Sequence, residues 1–263
     1  MSKLDKVFIG YDPREDDAYQ VARYSLVRRA SRHIDVIPIK LEECQKKGLF
    51  KRPLSIREGV MYDDISNRPQ STQFSLTRFL IPYLSEKSDQ FVLFMDCDQL
   101  LQADICELEL LIDPKYAVQC TKHVHLTAEE NKMDGMKQIP YQRKNWSSFF
   151  IYNCKHPSNK KFTLDYFNST HRDNLHGFKW LEDFEIGELP LFWNHLGGYP
   201  KPINGDGIVY PKYDYSVVKN IHYTHGIPTM AGYENCEFSK EWTRELMAYN
   251  RTLLEIKKNQ NEI

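Results

Sequence analysis

Two carboxylates one residue apart, Asp96 and Asp98, follow directly on the apolar run Phe91-Val92-Leu93-Phe94-Met95. Residues at i and i+2 project to the same side while a chain stays extended, so both carboxylates can face one hard cation, and Mg2+ or Mn2+ suits such oxygen ligands. The same two residues could equally open a polar turn or cap a following helix. What positions them decides between these readings. A short, bounded apolar run is the pattern of a strand covered on both faces, and in open α/β sheets ligands collect just beyond the carboxyl ends of such strands.

The surrounding pattern predicts that setting. A first strand is expected over 6–11, a turn at Asp12-Pro13 and a helix over 14–30, with the proline placed for the first helical turn. A strand at 35–39, a polar irregular region over 42–73, a helix over 74–84 and the strand at 91–95 follow. Two further buried strands are expected at 116–120 and 148–153, a long functional loop over 126–144, and a helix over 237–257 that frays from Lys258 onwards. This alternation predicts an α/β fold, a mostly parallel twisted sheet flanked by helices, in a single domain spanning 1–263 with its core over about 6–230.

Composition excludes several classes. Lys plus Arg total 35 against 36 Asp plus Glu, a net charge of −1 that offers no overall case for nucleic acid. The six cysteines form no C-x-x-C pair, and free thiols in a reducing, cytoplasmic setting are expected, with a peripheral position at a membrane also open. No stretch approaches the roughly 20 apolar residues of a membrane span, and no apolar leader is visible at the N-terminus. A G-x-G-x-x-G after the first strand and a G-x-x-x-x-G-K-[ST] loop are both missing, which disfavours a dinucleotide dehydrogenase or a P-loop ATPase.

Five segments occur in a telling order: Phe8-Ile9-Gly10-Tyr11-Asp12, Ser75-Leu76-Thr77-Arg78-Phe79, Asp96-Cys97-Asp98, Leu189-Pro190-Leu191-Phe192-Trp193-Asn194, and His222-Tyr223-Thr224-His225-Gly226. With them the chain resembles GT-A (Rossmann-like) glycosyltransferases related to glycosyltransferase family 8 and its uncharacterised bacterial and viral relatives, over about 6–230. The resemblance implies that Asp96, Asp98 and His222 hold a divalent cation, Mn2+ or Mg2+, bridging the diphosphate of a nucleotide sugar, with His225 as the alternative ligand. It places Tyr11 and Asp12 against the nucleotide, although turn chemistry explains Asp12-Pro13 as well. Arg78 falls near the diphosphate.

Lys132-Met133-Asp134-Gly135 and the segment from Gln138 to Ser148 resemble the uncharacterised relatives, bringing Trp146 and Ser147 near the sugar. Trp146 is read as either a pyranose platform or a core anchor. Asp183 stands where the family carries a donor-sugar aspartate and is a candidate general base, and His195 is a candidate acceptor-side proton carrier. Phe184 and Trp146 depart from polar family positions, so neither the sugar nor the stereochemistry carries over. The implied function is metal-dependent transfer of a sugar from a nucleotide-diphosphate sugar, a UDP-sugar first, to a hydroxyl of a glycan, lipid-linked or protein acceptor. A sugar nucleotidyltransferase is disfavoured by the missing Gly- and Lys/Arg-rich N-terminal phosphate loop. A non-catalytic nucleotide-sugar binding protein is the other alternative, suggested by Phe184 and Trp146.

Overall fold

The computed structural model describes residues 3–126, 143–198, 207–208 and 215–261. The segment 132–135 and most of the expected loop over 126–144 lie outside them. Six strands form the main sheet: β1 (Lys6–Gly10), β2 (Asp35–Ile39), β3 (Phe91–Met95), β4 (Val118–Thr121), β5 (Phe149–Asn153) and β6 (Ile186–Leu189), in the order β6-β4-β5-β3-β1-β2. β1 pairs in parallel with β2 and β3, and β4 with β6, whereas β5 runs antiparallel between β3 and β4. The sheet is therefore parallel-rich rather than all-parallel.

β1, β3 and β5 are buried at every position, which is why their sequences read as unbroken apolar runs. β2 is the outer edge, and it tolerates Pro38 because an edge strand need not donate on both sides. From β1 the chain crosses to β2 on one side and then returns to β3 on the other. That reversal opens a crevice beyond the carboxyl ends of β1 and β3. Ile9 is in register with Met95, so Tyr11-Asp12 and Asp96-Asp98 leave the sheet at the same edge.

The expected helix over 74–84 is three short pieces: helix Phe74–Thr77, a 3-10 turn Arg78–Leu80 and helix Ile81–Leu84. Pro82 cannot donate to the carbonyl of Arg78, which explains the break. Phe74 packs where Gly10 has no side chain; a Cβ there would lie 2.3 Å from the Phe74 ring. The region 42–73 is more ordered than its polarity suggests. Helix Leu41–Lys46 leads to an antiparallel meander of Leu54–Arg57, Val60–Asp63 and Arg68–Pro69, with Glu58 and Gly59 both at positive φ in its first turn. Arg52 and Asp63, both fully buried, form a bidentate pair at its base, at 2.9 and 2.7 Å.

Helix α1 (Asp16–Arg29) covers the sheet, and the last helix, α2 (Ser239–Asn261), lies along α1. Tyr24 and Tyr249 meet edge to face, and Glu245, only 3% exposed, accepts from Arg28 and Arg29 at 2.9 and 2.8 Å. α2 continues through Lys258 to Asn261, beyond the expected fraying point. All six cysteines are free thiols, as expected, and no helix of the described residues is long and apolar enough to cross a membrane.

Candidate functional site

β3 ends at Met95, and the chain that follows is tied by three hydrogen bonds to two distant segments. Asp96 N–H donates to Ser148 O at 3.0 Å, Gln99 Nε2 donates to the same carbonyl at 2.8 Å, and Tyr223 N–H donates to Asp98 O at 2.9 Å. A small three-stranded sheet completes the frame: Gln99–Leu101 pairs antiparallel with Asn220–His222, which pairs in parallel with His195–Leu196. His222 faces Gln99 in that register. Strands far apart in sequence thus deliver Asp96, Asp98 and His222 to one point.

Ligand-type atoms of these three residues all lie within 4.8 Å of one another, the only such group of His, Cys, Asp or Glu among the described residues. His222 Nε2 is 3.2 Å from Asp98 Oδ1 and 3.8 Å from Asp96 Oδ2, and Arg78 Nη1 is 2.9 Å from Asp96 Oδ1. Beyond these ion-pair contacts from Arg78 and His222, Asp96 Oδ1 and Asp98 Oδ1 are buried and have no hydrogen-bond partner. Buried carboxylate oxygens without donors are costly unless a ligand meets them.

The histidine tautomer sharpens this. Asn194 Nδ2 donates to Ser148 Oγ at 2.9 Å, which leaves Asn194 Oδ1 facing His222 Nδ1 at 3.0 Å. Nδ1 must then carry a proton, so in the neutral ring Nε2 aims a lone pair at two carboxylates. Only a proton or a cation makes that arrangement favourable. Burial alone would lower the His222 pKa, but Asp98 and Asp96 override it and hold it above the ordinary value. Burial pushes Asp96 up to about 6 against the pull of Arg78, and burial together with the Asp98 charge pushes Glu15 up to about 7. The donor set, two carboxylates and one oriented imidazole, fits a divalent cation of the Mg2+ or Mn2+ kind.

Comparison with known proteins gives the chain a family. It is 42% identical over 246 residues to Protein CDI of Arabidopsis thaliana, covering 94% of this chain and 87% of that protein. The chain belongs to the Protein CDI family. No family model matches it. Solved structures add the fold of this CDI-family chain, at 15% identity in each case. The bifunctional glycosyltransferase WbbM superposes with a TM-score of 0.58 over 95% of the chain, which spans about half (52%) of the WbbM chain. The galactosyltransferase LgtC, in complex with donor and acceptor sugar analogues, superposes with a TM-score of 0.51 over 92% of this chain and 95% of its own. The architecture is that of GT-A glycosyltransferases.

In the CDI-family chain the remaining expected residues divide. Arg78 joins the cluster, held by Ser75 O at 3.0 Å and Ser147 O at 2.9 Å. Ser147 is buried beside it, and its Oγ meets His176 Nδ1 at 2.8 Å. Asp12 is buried at the same sheet edge, but its carboxylate is already engaged by Arg14 and by Gln73 N–H at 3.0 Å, as the cap of a 3-10 turn. Tyr11 is half-buried, edge-on to Tyr19, with Lys40 over its ring. Trp146 is half-buried too, donates to His123 O at 3.2 Å, and has Lys122 and Arg143 against its ring. His225 lines a cavity of about 360 Å3 together with Gly197, Gly198, Tyr223, Tyr233 and Glu237.

Two expected residues are engaged by other neighbours. Asp183 is 86% exposed and ion-paired with Arg143, which holds its pKa below the ordinary carboxylate value. His195 is buried edge-on to Phe238, and it precedes Leu196, the register partner of His222, so it projects from the opposite face of the small sheet. Burial lowers its pKa. Sequence reasoning gave no role to Asn194, Ser148, Gln99, His176 or Glu15. Asn194 had a signal, since it closes the Leu189 to Asn194 segment; the others are set by contacts between distant segments.

Proposed function

We propose that this chain is a metal-dependent glycosyltransferase that takes a sugar from a nucleotide-diphosphate sugar, a UDP-sugar in the first instance, to an acceptor hydroxyl of a glycan, lipid-linked or protein substrate. The observation that carries this reading is the convergence of Asp96, Asp98 and His222 at the crevice of a GT-A fold, with two carboxylate oxygens buried and, ion-pair contacts aside, without a hydrogen-bond partner. Asp96, Asp98 and His222 would hold the Mn2+ or Mg2+. When bound, the ion acts as a Lewis acid that offsets charge on the departing diphosphate.

The chain's own residues prepare that chemistry. Arg78, fixed between two carbonyls, keeps a permanent positive charge beside Asp96, where it favours the ionised carboxylate and offers further donors to phosphate oxygens. Asn194 holds the His222 ring with its Nε2 toward the carboxylates. Tyr11 and Trp146, both partly buried rings, are the surfaces we assign to the base and the sugar, with Ser147 buried beside Arg78. For the acceptor proton, Asp183 is the one candidate that meets water freely.

Thermal unfolding tests this. With Mn2+, one of UDP-, GDP- or CMP-sugars should raise the melting temperature of the wild-type chain, and Asp98→Ala should lose that protection. Absence of protection by every donor, or equal protection of Asp98→Ala, defeats the metal-bridged reading. Metal-dependent release of free sugar from the protecting donor separates an enzyme from a binding protein.

A further inference from the structure

Helix α2 carries a pattern unrelated to the crevice. At about 100° per residue, Lys240, Arg244, Met247, Arg251, Leu254 and Lys258 fall within an arc of about 80° that runs about 27 Å along the helix. All six are exposed, Met247 by 64% and Leu254 by 60%. The opposite side is the packed one, where Trp242 is buried, Tyr249 meets Tyr24 and Glu245 is clamped by Arg28 and Arg29. None of the helix's three glutamates lies in the arc, the nearest being Glu255 at its flank. The four cations have no ion-pair partner among the described residues. Solvated helix faces ordinarily mix signs at i, i+4 spacing. Here a chain of net charge −1 sets four positive charges and two large apolar side chains in one strip.

We infer that this strip docks the protein on an anionic lipid surface. Four cations on one flat line match a plane of negative headgroups, and their long stems let the charges reach outward while Met247 and Leu254, two turns apart, enter the headgroup boundary. A nucleic-acid backbone would use the cations but leave both apolar side chains against phosphate and water, and the strip has no aromatic ring to stack on a base. Because α2 is fastened to α1 through Glu245, the strip engages the surface with the whole body behind it. The inference is independent of what the crevice binds.

Co-sedimentation of the full chain with vesicles tests it. The protein should pellet with phosphatidylcholine vesicles containing phosphatidylserine, not with phosphatidylcholine alone, and added salt should release it. R244E/R251E should lower the vesicle partition about tenfold or more while its melting temperature stays that of the wild type. If that variant unfolds, R244Q/R251Q with an intact melting temperature should show a smaller loss in the same direction. M247S/L254S should lower the partition and leave its salt dependence in place. Failure to pellet with the anionic vesicles, equal partition of folded charge variants and wild type, or retention by double-stranded DNA without vesicle binding would each overturn it.

Discussion

Two buried ionic clusters in this chain differ in what they leave over. At the base of the meander, Arg52 spends its guanidinium on both oxygens of Asp63 and on the carbonyls of Phe167 and Thr170, while Ser66 N–H donates to Asp63 Oδ2. At the crevice, His222 stands 3.2 and 3.8 Å from Asp98 and Asp96, and beyond the ion-pair contacts of Arg78 and His222 the Oδ1 atoms of both carboxylates have no hydrogen-bond partner, while a histidine lone pair aims at negative charge. A saturated cluster has nothing to offer a ligand and serves the fold. An unsaturated one is stabilised only when something arrives.

That contrast can be broken by substitution. Asp63→Ala removes one half of a saturated pair and strands Arg52 in the interior, so denaturant unfolding should show a loss of about 3–5 kcal/mol. Asp98→Asn should cost far less in metal-free buffer, because it relieves charge crowding instead of creating it. Equal losses at the two sites would erase the distinction. A smaller effect is expected from Asn194→Ala, which frees the His222 ring without touching a ligand atom: Mn2+ affinity by calorimetry should fall about 10- to 100-fold with little change in melting temperature.

The smallest effect is in pH. Burial would raise the Asp63 pKa, yet its bonds from Arg52 and Ser66 hold it below the ordinary value, so its contribution is present above the unfolded carboxyl range and is lost as pH falls through the lower folded value. Asp96 and His222 run the other way. With Asp96 pushed up to about 6 and His222 held above its ordinary value, the folded crevice binds more protons than the unfolded chain. Metal-free stability should therefore rise as pH falls from about 8 toward 5.5, while protons displace Mn2+ over the same range. A scan of melting temperature against pH, with and without Mn2+, should give slopes of opposite sign. Parallel slopes would remove the crevice from the account.

The strands that position the crevice were legible because each is buried on both faces and so shows as a bounded apolar run. Asp96, Asp98 and His222 were legible through the order of their segments. The meander was not, since its strands are short and half-exposed and its one deep feature, Arg52–Asp63, pairs two residues that look like surface charges in sequence. Asp183 and His195 were assigned by position along the chain; the direction in which the His195 side chain leaves the small sheet turns it away from His222, and Asp183 is exposed and paired with Arg143. The roles of Asn194 and Ser148 depend on hydrogen bonds between distant segments, among them one that joins residues 46 apart, which no local pattern records.

Gly10 gives the crevice a tolerance measured in the thickness of one ring. Phe74 fills the space a Cβ would take, and four residues later the same short turn presents Arg78 to Asp96, with the Phe74 ring 5.6 Å from the guanidinium carbon. The charge balance of the site is thus gauged from inside the sheet. A single methyl group added at Gly10, which touches no ligand and carries no charge, would be transmitted as a displacement of the arginine that steadies Asp96.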